Sequence, residues 1–116
     1  MVAISSGREI GVDAEQLIER RYTLHIARKY FQTWEQSQSL FYRAWTARES
    51  FAKLLGRGLA NVIARTRVKA ACDDMLIGLD EDFSHRVNFM SPVNGYLAAV
   101  CRSKDSSKDL ELLTYR

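Results

Sequence analysis

The sequence predicts a mainly α-helical fold, a small bundle of three to four helices, and three observations carry that expectation. Eight of the twelve aromatic residues lie between Asp13 and Gly56. Read at helical spacing, Leu17, Leu24, Ala27, Phe31, Trp34, Phe41, Trp45, Ala52 and Leu55 fall on one stripe, as in amphipathic helices that cover a core. Between Ala14 and Leu55 there is no Gly or Pro to interrupt a helix.

The chain of 116 residues suits a single domain spanning 1–116, and 47% hydrophobic with 27% charged residues is an ordinary globular composition. Residues 1–12 contain Gly7 and Gly11 and little periodicity, so they read as a flexible lead-in. Asp13 and Gln16 have the spacing of a helix N-cap arrangement, which places a helix start at Asp13. One uninterrupted helix of over 40 residues would be about 65 Å long, too long for so small a domain to pack. A break at Ser37, Gln38 and Ser39 is therefore expected, with a second helix from Leu40 to Leu55 that stops at Gly56-Arg57-Gly58.

Two periods compete from Leu59 to Leu79. Ala60, Ala64, Val68, Ala71, Met75 and Leu79 form a helical stripe, whereas Val62, Ala64, Thr66, Val68 and Ala70 alternate with Ile63, Arg65, Arg67 and Lys69 as in a strand. Helix is preferred, because alanine is a strong helix former and a poor strand former. Further on, Ser91-Pro92 opens a helix to about Arg102 by one reading. By the other, Asn94-Gly95 joins strands Val87–Val93 and Tyr96–Arg102 in a hairpin, with 110–115 as a third strand. Residues 85–115 stay open between these, and 103–109 read as a loop.

Charge is unevenly spread. Residues 20–69 carry eleven Lys or Arg against only Glu35 and Glu49, a local net charge of +9 within a chain of net +3. Such a segment either folds onto the acidic ends or meets an anionic partner. Tyr30 next to Phe31 and Phe41 next to Tyr42 cannot all face one core from one helix, so an aromatic interface of Tyr30, Phe31, Trp34, Phe41, Tyr42 and Trp45 is expected. The function this suggests is a non-enzymatic interaction module, with a second copy of the chain or a helical protein as partner. The alternative is nucleic-acid binding by a helix-turn-helix over Arg48–Arg67, in which the basic segment 48–69 presents Arg57, Asn61, Arg65, Arg67 and Lys69.

Other chemistry finds little support. Cys72 and Cys101 stand far apart and are expected as free thiols, and with only His25 and His85 no metal site and no cofactor are expected. No nucleophile-base spacing and no phosphate-binding glycine loop is present, so no catalytic residue is assigned. Without a membrane span or a leader pattern, the chain reads as cytoplasmic. Leu17 to Arg21 followed by Ile26 to Lys29 resembles the first helix of the all-helical chorismate mutases. The lysine that the resemblance requires falls at Phe31 or Gln32, so no residue role follows from it. Ala27 to Trp34 is similar to the helical repeats of centrosomal filaments that bind centrin, but no second copy follows.

Overall fold

A computed structural model of the chain describes residues 2–5, 9–17, 21–91, 93–104 and 110–113. Its elements are β1 (Val2–Ser5), β2 (Ile10–Gln16), α1 (Arg21–Tyr30), a 3₁₀ turn (Thr33–Gln36), α2 (Gln38–Leu55), the one-turn α3 (Leu59–Val62), β3 (Thr66–Ala71), β4 (Asp74–Leu79), β5 (His85–Met90), β6 (Tyr96–Ser103) and β7 (Leu110–Leu113). Five strands form an antiparallel sheet in the order β2-β6-β5-β4-β3, and β1 pairs with β7 in a second, two-stranded sheet. The fold is α+β, a helical layer on an antiparallel sheet, not the helical bundle that the sequence predicts.

The first departure is at Asp13. Instead of capping a helix it lies inside β2, which pairs with β6 over seven positions from Ile10↔Arg102 to Gln16↔Tyr96. The capping spacing is local and weak, whereas pairing with β6 gives backbone hydrogen bonds along the whole seven-residue segment. Ile10, Gly11 and Val12, assigned to the flexible lead-in, belong to this strand as well, and Val2–Ser5 of the same lead-in form β1. Helix α1 starts only at Arg21, and of the chorismate mutase-like stretch, residues 18–20 lie outside the described residues.

The second departure is the segment from Leu59. Helix persists only to Val62, and from Thr66 onward the alternation prevails: Thr66 and Val68 are buried, while Lys69 is exposed and Arg67 half-buried. Strand β3 pairs in register with β4, Thr66↔Leu79 through Ala71↔Asp74, around Cys72, whose φ of 57° makes the tight turn. Alanine's helix preference, a few tenths of a kcal/mol per residue, is small beside the pairing and burial that a hairpin on the core provides. With α3 reduced to one turn there is no recognition helix, and the helix-turn-helix reading falls.

In the segment that was open, β5 and β6 pair in register from His85↔Ser103 to Met90↔Ala98, so strands occupy it and not a helix from Pro92. Pro92, residues 105–109 of the expected loop and 114–115 of the expected third strand lie outside the described residues. Strand β7 pairs with β1 and not with β6.

Helix α2 is the longest helix and spans the region where the sequence places its second helix. Gly56, with φ 70°, occupies the left-handed position beyond Leu55, and its N–H bonds to the Ala52 and Lys53 carbonyls. The helix lies across β2 and β6. The strand positions beneath it are small: Gly11 pairs with Cys101 and Asp13 with Ala99, both partners fully buried. A Cβ on Gly11 would stand 1.9 Å from the Ser50 carbonyl oxygen and 2.8 Å from Leu54 Cβ, so only glycine lets helix and strand come this close. The core fills the layer between them, with Phe31, Phe41, Trp45 and Phe51 from the helices against Val68, Ile77, Val87 and Cys101 from the sheet. Burial raises the Cys101 thiol to a pKa of about 12, which leaves it unreactive.

Candidate active site

The close approach at Gly11 decides which side chains meet. Residues 11, 13 and 15 of β2 share one face of the strand. Along α2, Trp45, Glu49 and Lys53 follow at intervals of four, which places them on one face of the helix. Where the two faces meet, Lys53 Nζ donates to Asp13 Oδ1 at 2.7 Å. Asp13 is only 6% exposed, and its other oxygen, Oδ2, is buried without a hydrogen-bond partner among the described residues. The Lys53 side chain, by contrast, is 55% exposed.

The three carboxylates act on one another. Partial burial pushes the Glu49 carboxyl above its usual range, and the negative charges of Asp13 and Glu15 push it further, against the opposing effect of Lys53. Lys53 is raised chiefly by its hydrogen bond to Asp13, with Asp13, Glu49 and Glu15 all favouring its charged form. Beside this group opens a cavity of about 460 Å³, lined by Ile26 and Tyr30 of α1, Trp45 and Glu49 of α2, Leu59, Ala60 and Ile63 around α3, and Glu15 of β2. Its walls are mainly apolar, with the carboxylates of Glu15 and Glu49 among them.

A second ion pair fixes the helical layer. Arg48 Nη1 donates to Glu35 Oε1 at 2.5 Å and to the Ala44 carbonyl at 3.3 Å, with both side chains sealed from solvent at 1% and 0% exposure. The guanidinium lies 3.9 Å above the Phe31 ring, and Glu35 Oε2 accepts from the Gln32 N–H. The segment joining α1 to α2 is thereby tied to the second half of α2, which places the Ile26 and Tyr30 wall opposite Glu49.

The residue pattern places this chain in a family. The pattern of the 4'-phosphopantetheinyl transferase superfamily (ACPS) matches residues 9–101, the segment that holds β2, both main helices and four of the five strands of the large sheet with most of the fifth. The chain belongs to the 4'-phosphopantetheinyl transferase superfamily. A protein of Synechocystis sp. named "Putative 4'-phosphopantetheinyl transferase" is 31% identical over 70 residues, an alignment that takes in 52% of this chain and 28% of that protein. This chain thus matches little more than a quarter of that relative's length. Membership in a transferase superfamily overturns both the non-enzymatic interaction module and the DNA-binding alternative.

The residues singled out from the sequence have other places in this fold. Phe31, Phe41 and Trp45 are buried in the chain's own core, while Tyr30, Trp34 and Tyr42 are half-buried around it. Trp45 and Tyr30 also line the cavity. Of the basic set, Arg57 is exposed just before α3, Asn61 is exposed on α3, and Lys69 is exposed on β3. Arg65 forks onto Asp80, and Arg67 donates to the Ala64 and Thr66 carbonyls. The basic middle is therefore partly compensated within the chain. Asp13, Glu15, Glu49 and Lys53 were missed altogether. Two signals point to them: the alternation Gly11-x-Asp13-x-Glu15, and Trp45, Glu49 and Lys53 at fourfold spacing. Glu49 and Glu35, the two acids of the basic segment, are the one at the site and the one in the buried pair. No helix among the described residues is long and apolar enough to cross a membrane.

Among the described residues no three His, Cys, Asp or Glu side chains stand close enough together to hold a metal ion as they are placed. The donor chemistry nonetheless fits a hard divalent cation: Asp13, Glu15 and Glu49 offer carboxylate oxygens, and the buried Oδ2 of Asp13 lacks a partner. Lys53 supplies the positive charge that this group of carboxylates requires.

Proposed function

We propose that this chain carries the catalytic carboxylates and lysine of a phosphopantetheinyl transfer site at the seam of β2 and α2. The observation that carries the reading is the contact of Asp13 with Lys53. It joins the strand and the helix within the segment that matches the superfamily, beside a cavity of a size for a small ligand.

The reaction follows from the name of the superfamily. The hydroxyl oxygen of an acceptor forms a bond to the phosphorus of 4'-phosphopantetheine held on a pyrophosphate, as in coenzyme A. The bond from that phosphorus to the bridging oxygen breaks, the nucleotide phosphate leaves with the electron pair, and the hydroxyl proton is released to solvent. Asp13, Glu15 and Glu49 would hold a divalent cation such as Mg²⁺, which when bound neutralises the pyrophosphate and stabilises the charge that develops on the leaving phosphate. Lys53 brings a second positive charge to the mouth of the site. The apolar walls at Ile26, Trp45, Leu59 and Ile63 give the uncharged pantetheine arm a dry surface.

Calorimetric titration with coenzyme A at millimolar Mg²⁺ tests the reading. Binding that requires Mg²⁺ and is lost in Glu49→Gln and Asp13→Asn is expected. Binding that survives both substitutions, or none by the parent chain, would overturn it.

A further inference from the structure

Lys53 and a divalent cation make incompatible demands on Asp13. The Asp13 carboxylate sits in the middle of β2, buried under α2. Lys53 is the mobile member: it projects from the last turn of α2, its side chain is more than half exposed, and a four-carbon stem carries its ammonium. With Nζ 2.7 Å from Oδ1, the ammonium occupies one of the two oxygens that a bound cation would use and adds like charge to the place the cation would fill. The other oxygen stays buried without a hydrogen bond among the described residues, a cost that a second positive ligand would remove.

We propose that Lys53 is an internal counter-cation, a positioning residue that holds Asp13 in place until a divalent cation displaces it. This rests on the reading of the seam as the transfer site. Metal loading and the availability of Lys53 are then one event: with no cation bound, the lysine is tied to the strand.

Two measurements without donor or acceptor decide it. The first is Mn²⁺ binding, followed by electron paramagnetic resonance of the free ion, for the parent, Lys53→Met, Lys53→Arg and Asp13→Asn. Lys53→Met removes the competing charge and keeps the stem, and it is expected to bind Mn²⁺ several-fold to about tenfold more tightly than the parent, the worth of one partly exposed ion pair that no longer has to be broken. Lys53→Arg keeps a cation and should not show that gain. The second uses the parent alone, so it does not depend on any variant folding: acetylation of Lys53 by an amine-reactive ester, read by peptide mass, should rise when Mn²⁺ saturates the site. Unchanged or weaker Mn²⁺ binding by Lys53→Met, or labelling that does not rise at saturation, overturns the proposal alone, provided Asp13→Asn still abolishes binding. Mn²⁺ binding that is absent from the parent or indifferent to Asp13→Asn overturns both the proposal and the assignment of the site.

Discussion

Arg48 and Glu49 are neighbours in sequence on α2, yet they belong to two regions with opposite electrostatic design. On the Arg48 side, one cation and one anion are sealed together: Glu35 and Arg48 are each at most 1% exposed, and the guanidinium is further covered by the Phe31 ring. On the Glu49 side, three carboxylates share one lysine that is half in solvent. A third pair, Arg65 with Asp80, has the same 2.7 Å contact as Lys53 with Asp13, but both of its side chains are 60% exposed. Contact distance therefore says little about what each pair does. Burial and the count of charges separate a pair that fixes geometry, a group that stays partly open to solvent, and a pair that water and salt screen.

The comparison is broken most severely by removing one side of the sealed pair. Arg48→Met leaves the Glu35 carboxylate buried without its cation and should destabilise the chain by about 3 to 5 kcal/mol, measured by urea unfolding. Burial is the main influence on Arg48 and disfavours its charge, with Glu35 opposing it, so the pair is an arrangement that depends on both partners being present. A double replacement by apolar residues of similar volume should recover much of the loss. A loss below 1 kcal/mol for the single variant would show that water reaches Glu35.

Gly11→Ala attacks the seam itself. The new Cβ would overlap the Ser50 carbonyl, so α2 must move away from β2, at about 1 to 3 kcal/mol of stability. The larger effect should be on coenzyme A and Mn²⁺ binding, because Asp13 and Lys53 would no longer meet. Retained stability with lost binding would sharpen the distinction between the two regions; retained binding would contradict it.

Glu49→Gln tests the open side with a smaller, pH-dependent effect. The carboxyl of Glu49 is raised in the folded chain, so the folded state binds its proton more tightly than the unfolded state does. Its ionised form therefore lowers stability, fully so above the raised value and not at all below about pH 4, the ordinary range of a glutamate. Glu49→Gln is expected to raise the thermal midpoint at pH 7, and the gain should disappear on acidification to about pH 3 to 4. A gain that persisted in acid would place its cause outside Glu49's charge. The smallest effect belongs to the screened pair: Arg65→Ala should leave the midpoint within measurement scatter, and what difference exists should vanish at high salt.

By itself the sequence determined the features that depend on neighbours along the chain. The second helix and its stop at Gly56 could be read, because periodic burial and a left-handed glycine are local signals. The aromatic rings were legible only in part: that adjacent rings point apart is a local signal, but the sequence predicts Phe31 and Phe41 at an interface, whereas they are buried in the chain's own core. The strands were less legible. Asp13 carries a credible cap signal, and residues 66–71 hold Ala70 and Ala71, which suit a helix, while the partners that made them strands, Ala99 for Asp13 and residues 74–79 for 66–71, lie 86 and 3 to 13 residues away, respectively. Tertiary structure alone decided the site. Thirty-six residues separate Asp13 from Glu49, and what joins them is an antiparallel register on β6 together with a helix that can descend onto β2 only because residue 11 has no side chain. Strand pairing and close packing are non-local, so the same carboxylates and lysine that look scattered along the chain become one charged group only after it folds.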